Sequence, residues 1–219
     1  MKQRSQQEGA RIEQSRDSMG DWLQSVLTPV DEMRLPAQGA LVDGYTLKSE
    51  RPAAILVPLA QVAGEWQVLL TKRAAHLPYH AGQISFPGGK VEPDDDSLIN
   101  AALREAHEEI ALTPAMVRVA GGLNPVRSPA GFVVQPVVGI IEQDDGVAGL
   151  AANPAEVDLI FTVSLAHIAD PDNFRLVPRH TAGRRNDYWV VSHHAYHIWG
   201  LSARVLNDFH QRLMGGAVV

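Results

Sequence analysis

The densest chemistry in the sequence lies in four residues: Arg104, Glu105, Glu108 and Glu109. On a helix, spacings of i,i+3 and i,i+4 bring the three carboxylates within about one turn, where each like-charged pair costs roughly 0.2–0.5 kcal/mol. They also fall in the last turns of the helix predicted over residues 97–112, where the dipole disfavours negative charge by about 0.3–1 kcal/mol. Helix stability gives no reason for this arrangement. A divalent cation does, because Mg²⁺ or Mn²⁺ prefers oxygen ligands and commonly shares them with substrate phosphates. Arg104 stands one turn before Glu108 and is placed to hold it. Taken alone, E-x-x-E-E also describes a solvated acidic helix face, so its surroundings must decide.

Those surroundings are a glycine turn and a set of strands. Residues 97–112 contain neither proline nor glycine, are rich in Ala, Leu and Glu, and follow Asp94, Asp95 and Asp96, which are N-cap candidates. At about 100° per residue, Ile99, Ala102, Leu103, Ala106 and Ile110 form a packing arc, with Glu105, Glu108 and Glu109 nearly opposite. Residues 53–59 read as a buried strand, 61–64 as a turn and 66–73 as the hairpin partner. On that partner Val68, Leu70 and Lys72 share one face while Leu69, Thr71 and Arg73 share the other, so both faces become cationic at one end.

From Gly89 to Leu112 the chain reads G-x6-D-x7-R-E-A-x-E-E-I-A-L. This resembles the signature of the Nudix hydrolases, G-x5-E-x7-R-E-U-x-E-E-x-G-U. It departs in two places. One extra loop residue precedes Asp96, which stands in place of Glu, a change associated with the coenzyme A diphosphatases; and Ala111 stands where the signature has the Gly favoured at helix C-termini. Residues 69–89, LLTKRAAHLPYHAGQISFPGG, resemble that subfamily's own motif at every fixed position except Pro78, which replaces an arginine and with it a bidentate phosphate contact.

The resemblance implies an α/β protein with the Nudix fold, an α/β/α sandwich around a mixed sheet. It implies Glu108 and Glu109 as principal ligands of Mg²⁺ or Mn²⁺, Glu105 as ligand or general base, Arg104 as the group that orients them, and the Gly89 carbonyl as a further ligand. Glu156, before a later strand, is an additional ligand or base by the same likeness; a solvated residue at that strand's start is the competing reading. Lys72, Arg73 and Gly88 fall on the substrate side. The implied reaction is cleavage of coenzyme A or its thioesters to 3′,5′-ADP and a 4′-phosphopantetheine product. Pro78 keeps ADP-ribose or another nucleoside diphosphate derivative as an alternative substrate, and a Nudix-fold module that binds nucleotide without hydrolysing it is a third reading.

At 219 residues and 45% hydrophobic, the chain can bury one substantial core. Residues 1–40 are expected to be an N-terminal extension, polar and either disordered or a loose helix to about residue 20, then helical where Trp22, Leu23, Val26 and Leu27 recur; residues 41–219 are expected to form the domain. The net charge of −6 argues against nucleic-acid binding, so an anionic ligand must meet a local cation cluster or a metal. The absence of cysteine excludes disulfides, thiolate metal sites and a thiol nucleophile. No apolar run is long enough for a membrane span and no signal-peptide core is visible, so a cytoplasmic protein acting on a small molecule is expected, with a homodimer left open. Pro136 predicts that the β-like residues 132–141 form an edge, bulged or broken strand. His193, His194 and His197 lack the spacing of a zinc motif, and no serine sits in G-x-S-x-G.

Overall fold

The computed structural model of the protein describes residues 15–42, 45–143, 147–181, 184–185, 187–194 and 196–215. Ser15 caps the first helix, α1 (Arg16–Val26), its hydroxyl accepting from the Ser18 amide. Of the two expectations for residues up to about 20, disorder or a loose helix, residues 16–20 take the helix, with Met19 buried in the core together with Leu23 and Leu27. Residues 1–14 lie outside the described residues.

A small ribbon, β1 (Leu41–Val42) with β2 (Tyr45–Thr46), precedes the main sheet. That sheet holds β3 (Arg51–Val62), β4 (Glu65–Arg73), β5 (Ile84–Ser85), β6 (Gly88–Lys90), β7 (Val117–Gly122), β8 (Val126–Ser128), β9 (Phe132–Ile141) and β10 (Val157–Ser164). The order is β10-β4-β3-β9-β7, with β5 on β4, β6 on β3 and β8 on β9. The β3/β9 pair is parallel and the others are antiparallel, giving the expected mixed sheet. Ala63 and Gly64 both have positive φ and close the β3–β4 hairpin in two residues, the backbone that a right-twisted pair requires.

Strand alternation sorts the core into two layers. Ala53, Ile55, Val57 and Leu59 of β3, with Val68 and Leu70 of β4, pack towards α1 and the last helix, α4 (Leu201–Leu213). Ala54, Leu56, Ala60 and Leu69 pack against the central helix, α2 (Leu98–Ile110), through Ala101, Ala102, Leu103, Ala106 and Ile110. Helices on both faces make the α/β/α sandwich. A short helix, α3 (Leu165–Ala169), leads to β11 (Phe174–Val177), β12 (His180–Thr181), β13 (Arg184–Arg185), β14 (Tyr188–His193) and β15 (Tyr196–Trp199), of which β11, β14 and β15 form a second small sheet. Among the described residues no helix is long and apolar enough to cross a membrane.

The structure corrects the reading of Pro136. β9 is an unbroken interior strand, pairing with β3 along one side from Phe132 to Ile140. On its other side β8 covers residues 132–134 and β7 covers 137–141, so Pro136 falls at the gap between them, where its missing N–H interrupts neither ladder. Its carbonyl still accepts from Leu123 N–H at 3.1 Å.

Candidate active site

β3 aligns the glycine turn with the helix. Ala54↔Gly89 and Ile55↔Gly88 are registered pairs, which set β6 beside α2. A side chain is excluded at Gly88, and at Gly89 it would displace the Glu105 carboxylate. Gly88 has φ +151°, and a Cβ there would lie 2.5 Å from the Ile55 Cα. At Gly89 a Cβ would lie 2.6 Å from the carboxyl carbon of Glu105, so the helix carboxylate rests directly on the turn backbone.

The helix starts differently from expectation. Ser97, rather than Asp94, Asp95 or Asp96, is the N-cap, its hydroxyl accepting from Asn100 N–H at 3.1 Å. This frees Asp95 for another role. Its carboxylate accepts from Glu92 N–H at 2.8 Å and takes a bidentate pair from Arg104, Nε at 3.1 Å and Nη2 at 3.0 Å. Arg104 reaches further: Nη1 donates to Glu105 and to Glu108, both at 3.1 Å, and Nη2 to the Lys90 carbonyl at 3.1 Å. One guanidinium thus joins the loop, the glycine strand and two helix carboxylates. The Arg104 contact holds the Asp95 carboxyl below its ordinary range, and Asp95 in turn raises the affinity of Arg104 for its proton. Asp96, which occupies the signature position, makes none of these contacts; the extra loop residue shifts the anchoring role back by one.

The three glutamates do not share one exposed arc. Glu108 is half-exposed and paired with Arg104, whereas Glu105 is mostly covered. Glu109, expected opposite the packing face, is only 2% exposed. Burial, then the charges of Glu105 and Glu156, push its pKa up to about 8, against the opposing pull of Arg73 and the Gly88 amide. Glu105 is raised as well, mainly by burial, with Arg104 opposing and Glu108 and Glu156 adding to the rise. Glu156 therefore stands close enough to act electrostatically on both helix carboxylates, across 47 to 51 residues of chain.

The substrate-side residues divide. Arg73 lies on the α2 face with Leu69 and Thr71 and acts on Glu109; its Nε is buried without a hydrogen-bond partner. Lys72 continues the opposite face, with Val68 and Leu70, so strand alternation separates the two cations. Gly88 meets Glu109 through its amide. His193 packs against His167 and His194 at 4.8 and 4.4 Å, and burial lowers its pKa.

Among the described residues no three His, Asp or Glu side chains already converge as a closed ligand set. What the site does offer is an oxygen-only donor group, Glu105, Glu109 and Glu156 with the Gly89 backbone beside them, whose charges oppose one another and are only partly offset at Glu109 by Arg73 and the Gly88 amide. That chemistry fits a hard divalent ion. Asn153 carries no local sequence signal, because its partners are the Glu108 and Glu109 carbonyls of a distant helix.

The NUDIX domain model matches residues 50–190. An uncharacterized Nudix hydrolase, NudL, of Cronobacter sakazakii is 42% identical over 160 residues, covering 73% of this chain and 81% of that protein, and its counterpart in an Enterobacter species is 39% identical with the same coverage. Among solved structures, the M. smegmatis Nudix hydrolase RenU is similar at a TM-score of 0.45 and 20% identity, covering 65% of this chain and 81% of that one. The NUDIX domain of Shewanella oneidensis NrtR, solved with ADP ribose, is similar at 0.42 and 22%, covering 56% and 77%. With the family model spanning most of the chain and the signature glutamates gathered beside their glycine turn, this protein belongs to the Nudix hydrolase family.

Proposed function

We propose that this protein hydrolyses the diphosphate bond of coenzyme A or its thioesters, using Mg²⁺ or Mn²⁺, to give 3′,5′-ADP and 4′-phosphopantetheine or its acyl derivative. The observation that carries the reading is the buried Glu109 with the partly covered Glu105 and Glu156, mutually repelling, against Gly88 and Gly89. The family generally works with divalent ions. Glu105, Glu109 and Glu156 would hold the metal with the Gly89 carbonyl, and the exposed Glu108 would complete the group from the solvent side. A bound ion supplies neutralisation of charge on the phosphoryl oxygens and a lowered pKa for water. Arg104 fixes Glu105 and Glu108 by their hydrogen bonds, and Asp95 fixes Arg104. Glu156, on a loop rather than on the helix, is the carboxylate assigned to take the proton of the attacking water as the new P–O bond forms and the anhydride P–O bond breaks. Arg73, on the same face of the sheet, faces the substrate's diphosphate.

The coenzyme A assignment rests on the motif in residues 69–89. Its departure at Pro78 favours a second reading, in which ADP-ribose or another nucleoside diphosphate derivative is the substrate. The full chain should be incubated with coenzyme A, ADP-ribose, NADH and nucleoside triphosphates in Mg²⁺ and in Mn²⁺, with products read by mass. Release of 3′,5′-ADP from coenzyme A at the highest rate is the expected result. Preferential cleavage of ADP-ribose moves the substrate to the second reading, and no cleavage of any diphosphate overturns both.

A further inference from the structure

One residue in the loop before β10 carries an unusual share of hydrogen bonds. Asn153 donates its backbone N–H to the Glu109 carbonyl at 2.8 Å and its side-chain Nδ2 to the Glu108 carbonyl at 3.3 Å. Its Oδ1 accepts from Ala155 N–H at 3.1 Å, and its carbonyl accepts from Glu156 N–H at 3.0 Å and Val157 N–H at 2.8 Å. The last carbonyls of a helix have no partner within it. Those of α2 are accounted for in turn: Ala106 by Leu112, His107 by Ala111 and Ile110 by Ala151, which leaves Glu108 and Glu109 to Asn153. The same residue therefore grips the backbone of two helix glutamates and folds the turn that ends at Glu156. From the other side, Ala74 N–H donates to the Glu156 carbonyl at 2.8 Å, and His76 Nε2 lies 3.2 Å from the Ala155 carbonyl.

We propose that Asn153 is a positioning residue for hydrolysis, locking the turn that presents the Glu156 carboxylate to Glu105 and Glu109 while touching neither substrate nor metal. The proposal rests on the metal-dependent reading above. Asparagine suits the position because one short side chain supplies both a donor for the Glu108 carbonyl and an acceptor for the Ala155 amide. Alanine keeps the backbone bonds and loses both side-chain ones; aspartate keeps the acceptor and places a negative oxygen against the carbonyl. A residue that merely ended the helix would affect folding stability and leave the site's affinity for an ion unchanged.

The test is a double-mutant cycle on the full chain with Asn153→Ala, Glu156→Gln and both together. Two quantities are read: Mn²⁺ affinity without substrate, by electron paramagnetic resonance, and kcat and KM for the best diphosphate of the panel. Each single variant should weaken Mn²⁺ binding and lower kcat by about 10–100-fold, the range for residues that orient metal ligands. KM should move little, and the double variant should be no worse than Glu156→Gln. Effects that multiply in the double variant, a silent Glu156→Gln, or unchanged Mn²⁺ affinity in Asn153→Ala would each overturn the proposal. If Asn153→Ala fails to fold, Asn153→Asp takes its place in the same cycle. A wild-type protein that binds Mn²⁺ and cleaves no diphosphate defeats the functional reading, while the Mn²⁺ cycle still decides the role of Asn153.

Discussion

Arg212 on one face of the sheet and Glu109 on the other are almost equally shut off from solvent, 4% and 2% exposed, yet the two charges meet opposite surroundings. Arg212 donates Nη1 to the Val26 carbonyl at 2.7 Å and Nη2 to Asn124 Oδ1 at 3.2 Å, while its Nε stands 3.5 Å from Asp208 as an ion pair without a hydrogen bond. Asp208 in turn accepts from the Asn124 backbone and side-chain amides at 2.9 and 3.0 Å. That network ties the end of α1 and the loop after β7 to α4. Glu109 instead faces two further carboxylates, and burial drives it towards its neutral form. Buried charge that is partnered contributes architecture, whereas a buried carboxyl set among others of its own sign has a perturbed pKa of the kind that clusters at functional sites.

The sharpest way to break this contrast is to treat both residues alike. Arg212→Met removes the centre of the network, leaving Asp208 without its cation and the Val26 carbonyl and Asn124 Oδ1 without their donor, so it should cost about 3 kcal/mol of stability. Denaturant unfolding checks this, and below the melting temperature the folded variant should retain its turnover. Glu109→Gln should do the reverse. It keeps shape and removes a ligand charge, so Mg²⁺-supported kcat should fall at least about 10²-fold, which is about 2.7 kcal/mol of barrier. Without metal its melting temperature should equal or exceed that of the wild type at neutral pH. Near-normal turnover in this variant would remove Glu109 from the proposed metal site.

A smaller effect follows from the raised pKa of Glu109. A carboxyl raised from 4.5 to about 8 in the folded state favours folding fully below 4.5, and that contribution is lost as pH climbs towards about 8. Glu105 is shifted in the same direction, whereas Asp95 and Glu50 are lowered and work in the opposite sense as pH falls. The metal-free wild type should therefore lose melting temperature relative to Glu109→Gln between pH 5 and 8, a window about that of the shift. Parallel curves for the two proteins would show that Glu109 is partnered after all. Adding Mn²⁺ at pH 8 should restore the wild type and leave the variant nearly unchanged.

The contrast also marks what sequence could convey. Helical and strand periods placed α2 and the β3–β4 hairpin, because each has one period and one dominant packing direction, and the signature gathered Arg104 with its glutamates. The burial of Glu109 escaped that reading: the helical arc assumes a single covered side, and here the β6 turn and residues 151–153 cover a second. Three consecutive aspartates look equivalent in sequence; only the loop's path selects Asp95 for Arg104 and leaves the cap to Ser97. Pro136 was read against a continuous ladder, but two separate strands divide its neighbourhood. Asn153 acts through carbonyls 44 and 45 residues away, a pairing that no local pattern encodes.

The smallest effect tests whether the helix end itself takes part in the chemistry. Ala111 ends α2 with φ 57° and ψ 22°, the left-handed conformation that the Nudix signature fills with glycine. A Cβ there meets the following carbonyl at a cost of roughly 1–2 kcal/mol, and glycine gives back part of that gain through the greater freedom of its unfolded chain. Ala111→Gly should thus stabilise the protein by about 0.5 kcal/mol and raise its melting temperature by a few degrees at most. Turnover should not change, since the carbonyls of Glu108 and Glu109 are held by Asn153 rather than by the cap. If kcat drops while stability rises, the strained alanine is itself setting the height of Glu109 above the glycine turn, and the boundary between architecture and site runs through residue 111 instead of ending before it.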